Sequence, residues 1–393
     1  MALIRIPEPV QTCLRLLNQA GHEAYIVGGA VRNALLNEAP HDFDITTSAL
    51  PEEVLRVFSA YKTIPTGIRH GTVTVLIDKM PLEITTYRIE AEYHDHRHPD
   101  RVEFTSDLMQ DCARRDFTVN AMCWHPDQGL IDFFGGKEDL EHRIIRTVGD
   151  PRQRFDEDAL RILRALRFAA RLHARIEPET ASAVMKQKDT LKLISKERIT
   201  AEITGLLEAE DCVPILEDYR PVLEVCMEEL KELSDVSYHD NLNRIARSQP
   251  DAEIRLALLA EGCAGTWPES FRLSTASLNN ILDLQAHRSD HVSGRTAQRK
   301  LLSVLKAPYT LYADYRMAYD ETDIRNELEQ IISDGDCISL KQLDLNGYDL
   351  KSEGFQGKEI ASLLQKCLQH VMEEKIPNQK KDLLAYCRQI HKI

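Results

Sequence analysis

Residues Ala24 to Thr47, AYIVGGAVRNALLNEAPHDFDITT, place a glycine pair and two alternate aspartates within one short stretch. Gly28-Gly29 follows an apolar run, where a tight turn lets backbone N–H groups approach a phosphate closely. Asp42 and Asp44 frame Phe43 at the start of a second extended run. Residues two apart in a strand face one side, so both carboxylates point at one spot with Cα atoms roughly 7 Å apart. A phosphate turn beside paired carboxylates suggests a triphosphate held with a divalent metal. The elements that must position them are a strand over 24–27, a helix over Ala30 to Leu36 with its positive end toward the same place, and a strand from Asp42. A further helix precedes them (residues 7–20, with Val10, Leu14 and Leu17 on one face and Gly21 closing it). Another follows, with Ser48 as its cap and Pro51 near its start, running to about Ser59. Thr72–Ile77 and Leu82–Tyr87 read as strands joined by a turn. Together these make a mixed α/β domain.

Composition narrows the class. The 393 residues suffice for two to four compact units, and 43% hydrophobic with 28% charged residues is an ordinary globular balance. No apolar run approaches the roughly 20 residues that span a bilayer, and MALIRIPEPV lacks a signal-peptide core. Nine cysteines at positions 13, 112, 123, 212, 226, 263, 337, 367 and 387 include no Cys-x-x-Cys pair. They point to reduced thiols and a cytoplasmic protein, and against a zinc ribbon. The net charge of −14 gives no long-range attraction to nucleic acid, so any phosphate contact must come from local clusters.

Two such clusters exist. Cys112–Met122, CARRDFTVNAM, sets adjacent arginines beside Asp116 and Asn120. Phe155–Leu172, FDEDALRILRALRFAARL, shows a helical period. Leu160, Leu163, Leu166 and Ala170 form an apolar stripe, and Arg161, Arg164, Arg167, Arg171 and Arg175 form a second, basic one. That stripe is either a phosphate track or a solvated face neutralised by Glu157 and Asp158. From about residue 150 onward the whole chain reads as helical.

These stretches, in this order, resemble the DNA-polymerase-β-like nucleotidyltransferases, and within them the bacterial tRNA nucleotidyltransferase/poly(A) polymerase family of class II. The first family motif, GGxVRD…DxD, is met by Gly28, Gly29, Val31, Arg32, Asp42 and Asp44, with departures at Asn33 (usually Asp) and Asn37 (usually Gly). The RRDFTxNA motif is met by Arg114 to Ala121. Leu130–Gly136 resembles the third motif, a strand ending in a glycine turn, and Leu193–Leu207 the fifth, SxERI…E; both read as structural. The resemblance implies that Asp42 and Asp44 hold two Mg²⁺ ions, with Glu83 as the candidate third carboxylate. It also implies that Gly28, Gly29, Arg32, Arg114 and Arg115 hold phosphates and that Asp116 and Asn120 address the ribose. Arg164 and Arg167 are expected as further nucleotide or RNA contacts. The polar segment Arg88–Arg101 matches a family loop that helps the switch from C to A addition, and it has full length. His94, His96 and His98 within it alternate, but alternate loop residues need not converge on a metal.

Glu157-Asp158-x-x-Arg161 matches the family's EDxxR motif. On one helix, Asp158 and Arg161 would be neighbours, one an acceptor and one a donor fork. Cytosine and adenine share an exocyclic amine beside an unprotonated ring nitrogen, which such a pair can satisfy. Uracil and guanine would leave both groups mispaired. The pair is therefore a sufficient reader for C or A.

The expected architecture is an α/β nucleotidyltransferase head (1–143), a helical neck with the nucleotide-selecting helix (144–207), a helical body (208–306) and a helical, tRNA-binding tail (307–393). The expected activity is addition or repair of the 3′-terminal CCA of tRNA from CTP and ATP, with no membrane or DNA partner. The alternatives are CC-only or A-only addition, poly(A) polymerisation, and a non-catalytic tRNA-binding protein. Thr66–Thr72 lacks the GRRF-type stretch common in poly(A) polymerases. His239-Asp240 hints at a phosphohydrolase but has no accompanying metal ligands and reads as a helix cap region.

Overall fold

The computed structural model describes residues 5–40, 42–65, 67–91, 101–320 and 323–391. Contacts divide the chain into two units, one of residues 1–231 with 269–272 and one of 232–268 with 273–393.

The first unit opens with α1 (Glu8–Gln19), whose Val10, Cys13, Leu14 and Leu17 are buried as the helical period requires. Strand β1 (Ala24–Val27) is buried throughout, and α2 (Gly29–Leu35) follows directly. Next come β2 (Asp44–Thr47), α3 (Pro51–Val57), β3 (Lys62–Ile64), β4 (Thr72–Ile77) and β5 (Met80–Thr86). Leu50, not Ser48, caps α3; the Ser48 hydroxyl instead accepts the Glu23 N–H at 2.9 Å. Asp78 and Lys79 take positive φ (48° and 70°), the twist a two-residue hairpin turn needs between β4 and β5. A hairpin of β6 (Arg88–Ala91) and β7 (Arg101–Phe104) stands apart from the main sheet. Its connection, with His94, His96 and His98, lies outside the described residues. Helix α4 (Leu108–Ala113), β8 (Cys123–His125), β9 (Gly129–Ile131) and α5 (Gly136–Glu141) complete the α/β part.

The seven-stranded sheet runs β3-β4-β5-β2-β1-β8-β9. Only β2 and β5 pair in parallel; the other neighbours are antiparallel. Val73, Val75, Ile77, Leu82 and Ile84 fill one face by strict alternation. The parallel register sets Asp44 beside Glu83, and β1 sets Val27 on its other side.

Asn37, where the family usually has glycine, sits at φ 61°, a conformation asparagine adopts more readily than other L residues. Gly136 is constrained differently: a Cβ there would stand 2.1 Å from the Thr118 carbonyl oxygen. Gly136→Ala is expected to cost about 1–3 kcal/mol or more, as over-packing against a backbone does. Denaturant unfolding checks this; an unchanged midpoint would mean α5 moves aside freely.

Strand β10 (Ile144–Ile145) leads into the helices α6 (Pro151–Glu157) and α7 (Leu160–Arg171), then β11 (Arg175–Ile176), α8 (Pro178–Gln187) and α9 (Lys196–Leu207). The continuous helix expected over 155–172 is in fact two. Asp158, at φ −143° and ψ 102°, leaves the helical region, and its Oδ1 accepts the Leu160 N–H at 3.1 Å. Aspartate favours this capping geometry, so the acidic pair that reads as a first turn is a break. Asp158 and Arg161 are consequently not neighbours on one helix.

The second unit is helical. One of its cores gathers Leu345, Leu350, Leu363, Cys367, Leu368 and Cys387 among others. His239 and Asp240 lie inside the helix Asp235–Arg247, which Ser234 caps, rather than at a helix end. Among the described residues no group of three or more His, Cys, Asp or Glu is arranged to hold a metal, and no helix is long and apolar enough to cross a membrane. All nine cysteines are free thiols, and all but Cys263 are buried.

Candidate active site

The glycine turn begins the site. Gly28 adopts φ 72°, ψ −129°, which glycine takes without a Cβ penalty, and its N–H bonds the Met122 carbonyl at 3.3 Å. This ties the turn to the segment carrying Asn120. Strand β2 starts at Asp44, so Asp42 lies just before it; even so Phe43 is buried while Asp42 and Asp44 face out, as alternation demands. Burial in the cleft, Glu83 and Asp42 raise the Asp44 carboxyl above its ordinary range, while Arg115 opposes them. Crowding of this kind favours a cation.

Behind the arginines stands Asp111, fully buried. Its Oδ1 takes Arg114 Nε and Nη2 at 2.9 and 2.8 Å, and its Oδ2 takes Arg115 Nη2 at 3.2 Å and Thr46 Oγ1 at 2.9 Å. Arg115 lines the cleft; Arg114 turns away onto Asp111 and is not among the lining residues.

Asp116 links the α/β part to α7. Its Oδ2 accepts Arg164 Nε and Nη2 at 2.9 and 2.6 Å, and its Oδ1 accepts the Phe117 N–H and Asn120 Nδ2 at 2.8 and 3.1 Å. Burial alone would raise this carboxyl, but the Arg164 charge and these bonds hold it down at about 2. A carboxyl lowered from its ordinary 3.8 stabilises the fold fully above pH ~4 and loses that contribution as pH falls toward 2. Asp116→Asn is expected to cost about 2 kcal/mol at neutral pH, the scale of a charged hydrogen bond, and to flatten the stability curve between pH 4 and 2. Unfolding titrations against pH measure both; parallel curves would refute the assignment.

Arg32 is buried. Its Nη1 donates to Asn120 Oδ1 at 2.5 Å, and Nε and Nη2 to Asn33 Oδ1 at 3.2 and 3.0 Å. Bonded to neutral amides, it is pulled down to about 10 by burial and then by Arg171. Arg32, Arg164 and Arg167 crowd the Phe168 ring at 5.0, 5.3 and 4.6 Å from its centroid. Glu202 on α9 holds Arg167 Nε at 2.6 Å. The basic stripe is thus neutralised in part by Asp116 and Glu202, and by Glu157 at Arg161, while Asp158 accepts a hydrogen bond from Arg198.

Asp158 and Arg161 lie elsewhere. Asp158 Oδ2 accepts Arg198 Nη2 at 2.7 Å, and the buried Arg161 donates to Glu157 Oε2 at 2.6 Å and to the Arg154 and Arg114 carbonyls at 3.1 Å. Neither lines the cleft, and nor does Glu83.

The cleft itself, about 630 Å³, is walled by Gly28, Gly29, Arg32, Asp42, Asp44, Arg115, Asp116, Asn120, Arg164 and Arg167, with Arg171 and Phe168. Asp111, Phe168 and Glu202 are contributors that reading the sequence misses. Phe168 passes as one more apolar helix position, although it follows Arg164 by one helical turn. Two carboxylates facing an arginine wall suit Mg²⁺, which is habitually held by one or two carboxylates plus substrate phosphates.

Comparison with known proteins identifies the family. Residues 24–146 match the Poly A polymerase head domain, and residues 270–387 match tRNA nucleotidyltransferase domain 2. The CCA-adding enzyme of Levilactobacillus brevis is 33% identical over 98% of this chain and 99% of its own length. That of Bacillus subtilis is 35% identical over 94% and 95%. The crystal structure of the Bacillus stearothermophilus CCA-adding enzyme in complex with CTP superposes with a TM-score of 0.82 at 28% identity, covering 98% of both chains. The Thermotoga maritima CCA-adding enzyme complexed with tRNA shares the fold, with a TM-score of 0.71 at 20% identity. A glycine turn, an aspartate pair and an arginine wall in one cleft, within a chain matched end to end by such relatives, place this protein in the CCA-adding enzyme family of tRNA nucleotidyltransferases.

Proposed function

We propose that this chain builds or repairs the 3′-terminal CCA of tRNA from CTP and ATP without a nucleic-acid template. The supporting observation is the single cleft that joins the Asp42/Asp44 pair to the cationic wall of Arg115, Arg164 and Arg167. The tRNA 3′-hydroxyl attacks the α-phosphate, the new 3′-O–P bond forms, and the bond to the β-phosphate oxygen breaks to release pyrophosphate. Arg32, Arg115, Arg164 and Arg167 hold the triphosphate, with Arg114 supporting the wall from behind through Asp111. Gly28 and Gly29 let the chain approach without side-chain bulk. Asp116 and Asn120 address the ribose. Asp42 and Asp44, with Glu83 beside Asp44 in the sheet as the candidate third carboxylate, would hold two Mg²⁺, which when bound would supply Lewis acidity to the attacking hydroxyl and the leaving group.

Asp158 and Arg161 read the base. A carboxylate has about four lone-pair sites, so Asp158 can accept an exocyclic amine while Arg198 keeps hold of it. Arg161 must exchange one of its present contacts to reach a ring nitrogen. Residues 1–143 and 144–207 serve as head and neck around this chemistry, and body (208–306) and tail (307–393) grip the tRNA. The cytoplasm is the compartment that fits these substrates.

Single-nucleotide incorporation on tRNA transcripts ending before CCA, after C and after CC tests the reading. C on the first two and one A on the third is expected with Mg²⁺. An unlimited A ladder would identify a poly(A) polymerase, and no incorporation would refute the enzymatic reading.

A further inference from the structure

Asp111 touches neither the cleft nor any nucleotide the cleft would hold, yet three parts of the head converge on it. It sits on α4 with 0% exposure. Thr46 Oγ1 reaches Oδ2 from β2, two residues beyond Asp44. The backbone N–H of Arg88, first residue of β6, reaches Oδ1 at 3.3 Å. Arg114 and Arg115 supply three more donors. A buried carboxylate without partners would protonate or destabilise the fold. Here burial pushes the carboxyl upward, but the charges of Arg114 and Arg115 outweigh it and keep the group below its ordinary range.

Arg115 is the member of this group that faces substrate. Its Nη1 would lie 3.7 Å from a Cβ on Gly28, so the guanidinium sits beside the glycine turn, with its Nη2 on the Asp111 carboxylate. Its buried Nε has no hydrogen-bond partner among the described residues. The hydrogen bond that holds the Arg115 guanidinium is therefore the one to Asp111. The two oxygens divide the work: Oδ1 takes the Arg114 fork and the hairpin root, and Oδ2 takes Arg115 and the catalytic strand.

We propose that Asp111 is a positioning residue for nucleotide binding, which fixes the Arg115 guanidinium in register with Asp44 by anchoring Arg115 and strand β2 to one carboxylate oxygen. The inference rests on the proposed role of the cleft as a triphosphate site. Asparagine at 111 presents an amide N–H₂ to one set of donors, so it must lose either the Arg115 and Thr46 contacts or those of Arg114 and Arg88.

The test is a double-mutant cycle on Asp111 and Arg115, read as affinity for inorganic triphosphate by calorimetry and as KM and kcat for CTP and ATP. Asp111→Asn is expected to weaken triphosphate about tenfold, the scale of a lost charged hydrogen bond, and to raise KM for both nucleotides while KM for tRNA stays put. Added to Arg115→Ala, it should change triphosphate affinity no further. A purely structural Asp111 would instead lower the melting temperature and give additive losses in every parameter, which overturns the proposal. Thr46→Val removes one donor from the same oxygen and keeps the side-chain shape, so it serves if Asp111→Asn does not fold. A weakening of triphosphate of about twofold to threefold is expected there, and wild-type affinity would count against the proposal. If the cycle shows the coupling in triphosphate affinity but the wild-type protein incorporates no nucleotide, the enzymatic reading fails and this inference stands. If it incorporates C and A but shows no coupling, the reverse holds.

Discussion

Asp44→Ala and Asp42→Ala are each expected to abolish CTP and ATP incorporation, with kcat reduced by ~10³-fold or more. The estimate follows from the several kcal/mol of charge stabilisation that a metal held by these carboxylates would supply to the transition state. Stability should move the other way. The Asp44 carboxyl is raised by its crowded position, so the folded state binds its proton more tightly than the unfolded chain does. Above the ordinary carboxylate range that charge works against folding, and neutral pH lies above it. Asp44→Asn should therefore melt at or above the wild-type temperature in metal-free buffer, and Mg²⁺ should stabilise only the wild type. Primer-extension rates and thermal melts with and without Mg²⁺ check both halves. An active Asp44→Ala would remove this pair from the chemistry altogether.

The second large effect concerns which base is accepted. Asp158→Ala is expected to compress the preference for CTP and ATP over UTP and GTP by ~10³-fold in kcat/KM, because rejection comes from mispaired polar groups rather than from shape. Arg161→Ala should compress it similarly, but it also cuts the ties to Glu157, the Arg154 carbonyl and the Arg114 carbonyl, so a lower melting temperature accompanies it. Arg198→Lys offers a finer probe. It keeps a cation near Asp158 but loses the fork geometry, and should loosen selectivity less than Asp158→Ala does. Competition between paired nucleotides on a tRNA ending before CCA measures the ratios. Unchanged ratios in both alanine variants would place the reader elsewhere in the neck.

Why some of this was legible in the sequence and some not has physical reasons. The glycine turn, β1 and the outward pair Asp42/Asp44 depend on interactions within a few residues, and turn chemistry with a period of two reports those directly. The arginine stripe of α7 was visible for the same reason. Of its counter-charges, Glu157 beside Arg161 was visible too, but Arg164 meets Asp116 across 48 positions and Arg167 meets Glu202 across 35, and no local pattern encodes such partners. Asp111 escaped notice because an aspartate one helical turn before two arginines looks like an ordinary surface triad, whereas Thr46 joins it from 65 positions away and the group is sealed inside. The break at Asp158 was misread because a carboxylate in a first helical turn and a carboxylate capping the next helix share the same letters.

The burial of the thiols has a consequence for following the molecule as it opens. Cys13, Cys112, Cys123, Cys212 and Cys226 lie in the first unit, and Cys263, Cys337, Cys367 and Cys387 in the second. Eight of the nine are buried, and burial raises Cys226 to about 12, so alkylation in the native state is expected first at Cys263. Each further label marks an opening event, and its position tells which unit opened. The chain thus contains its own set of clocks, readable by mass, for deciding whether the two units open in one step or in succession.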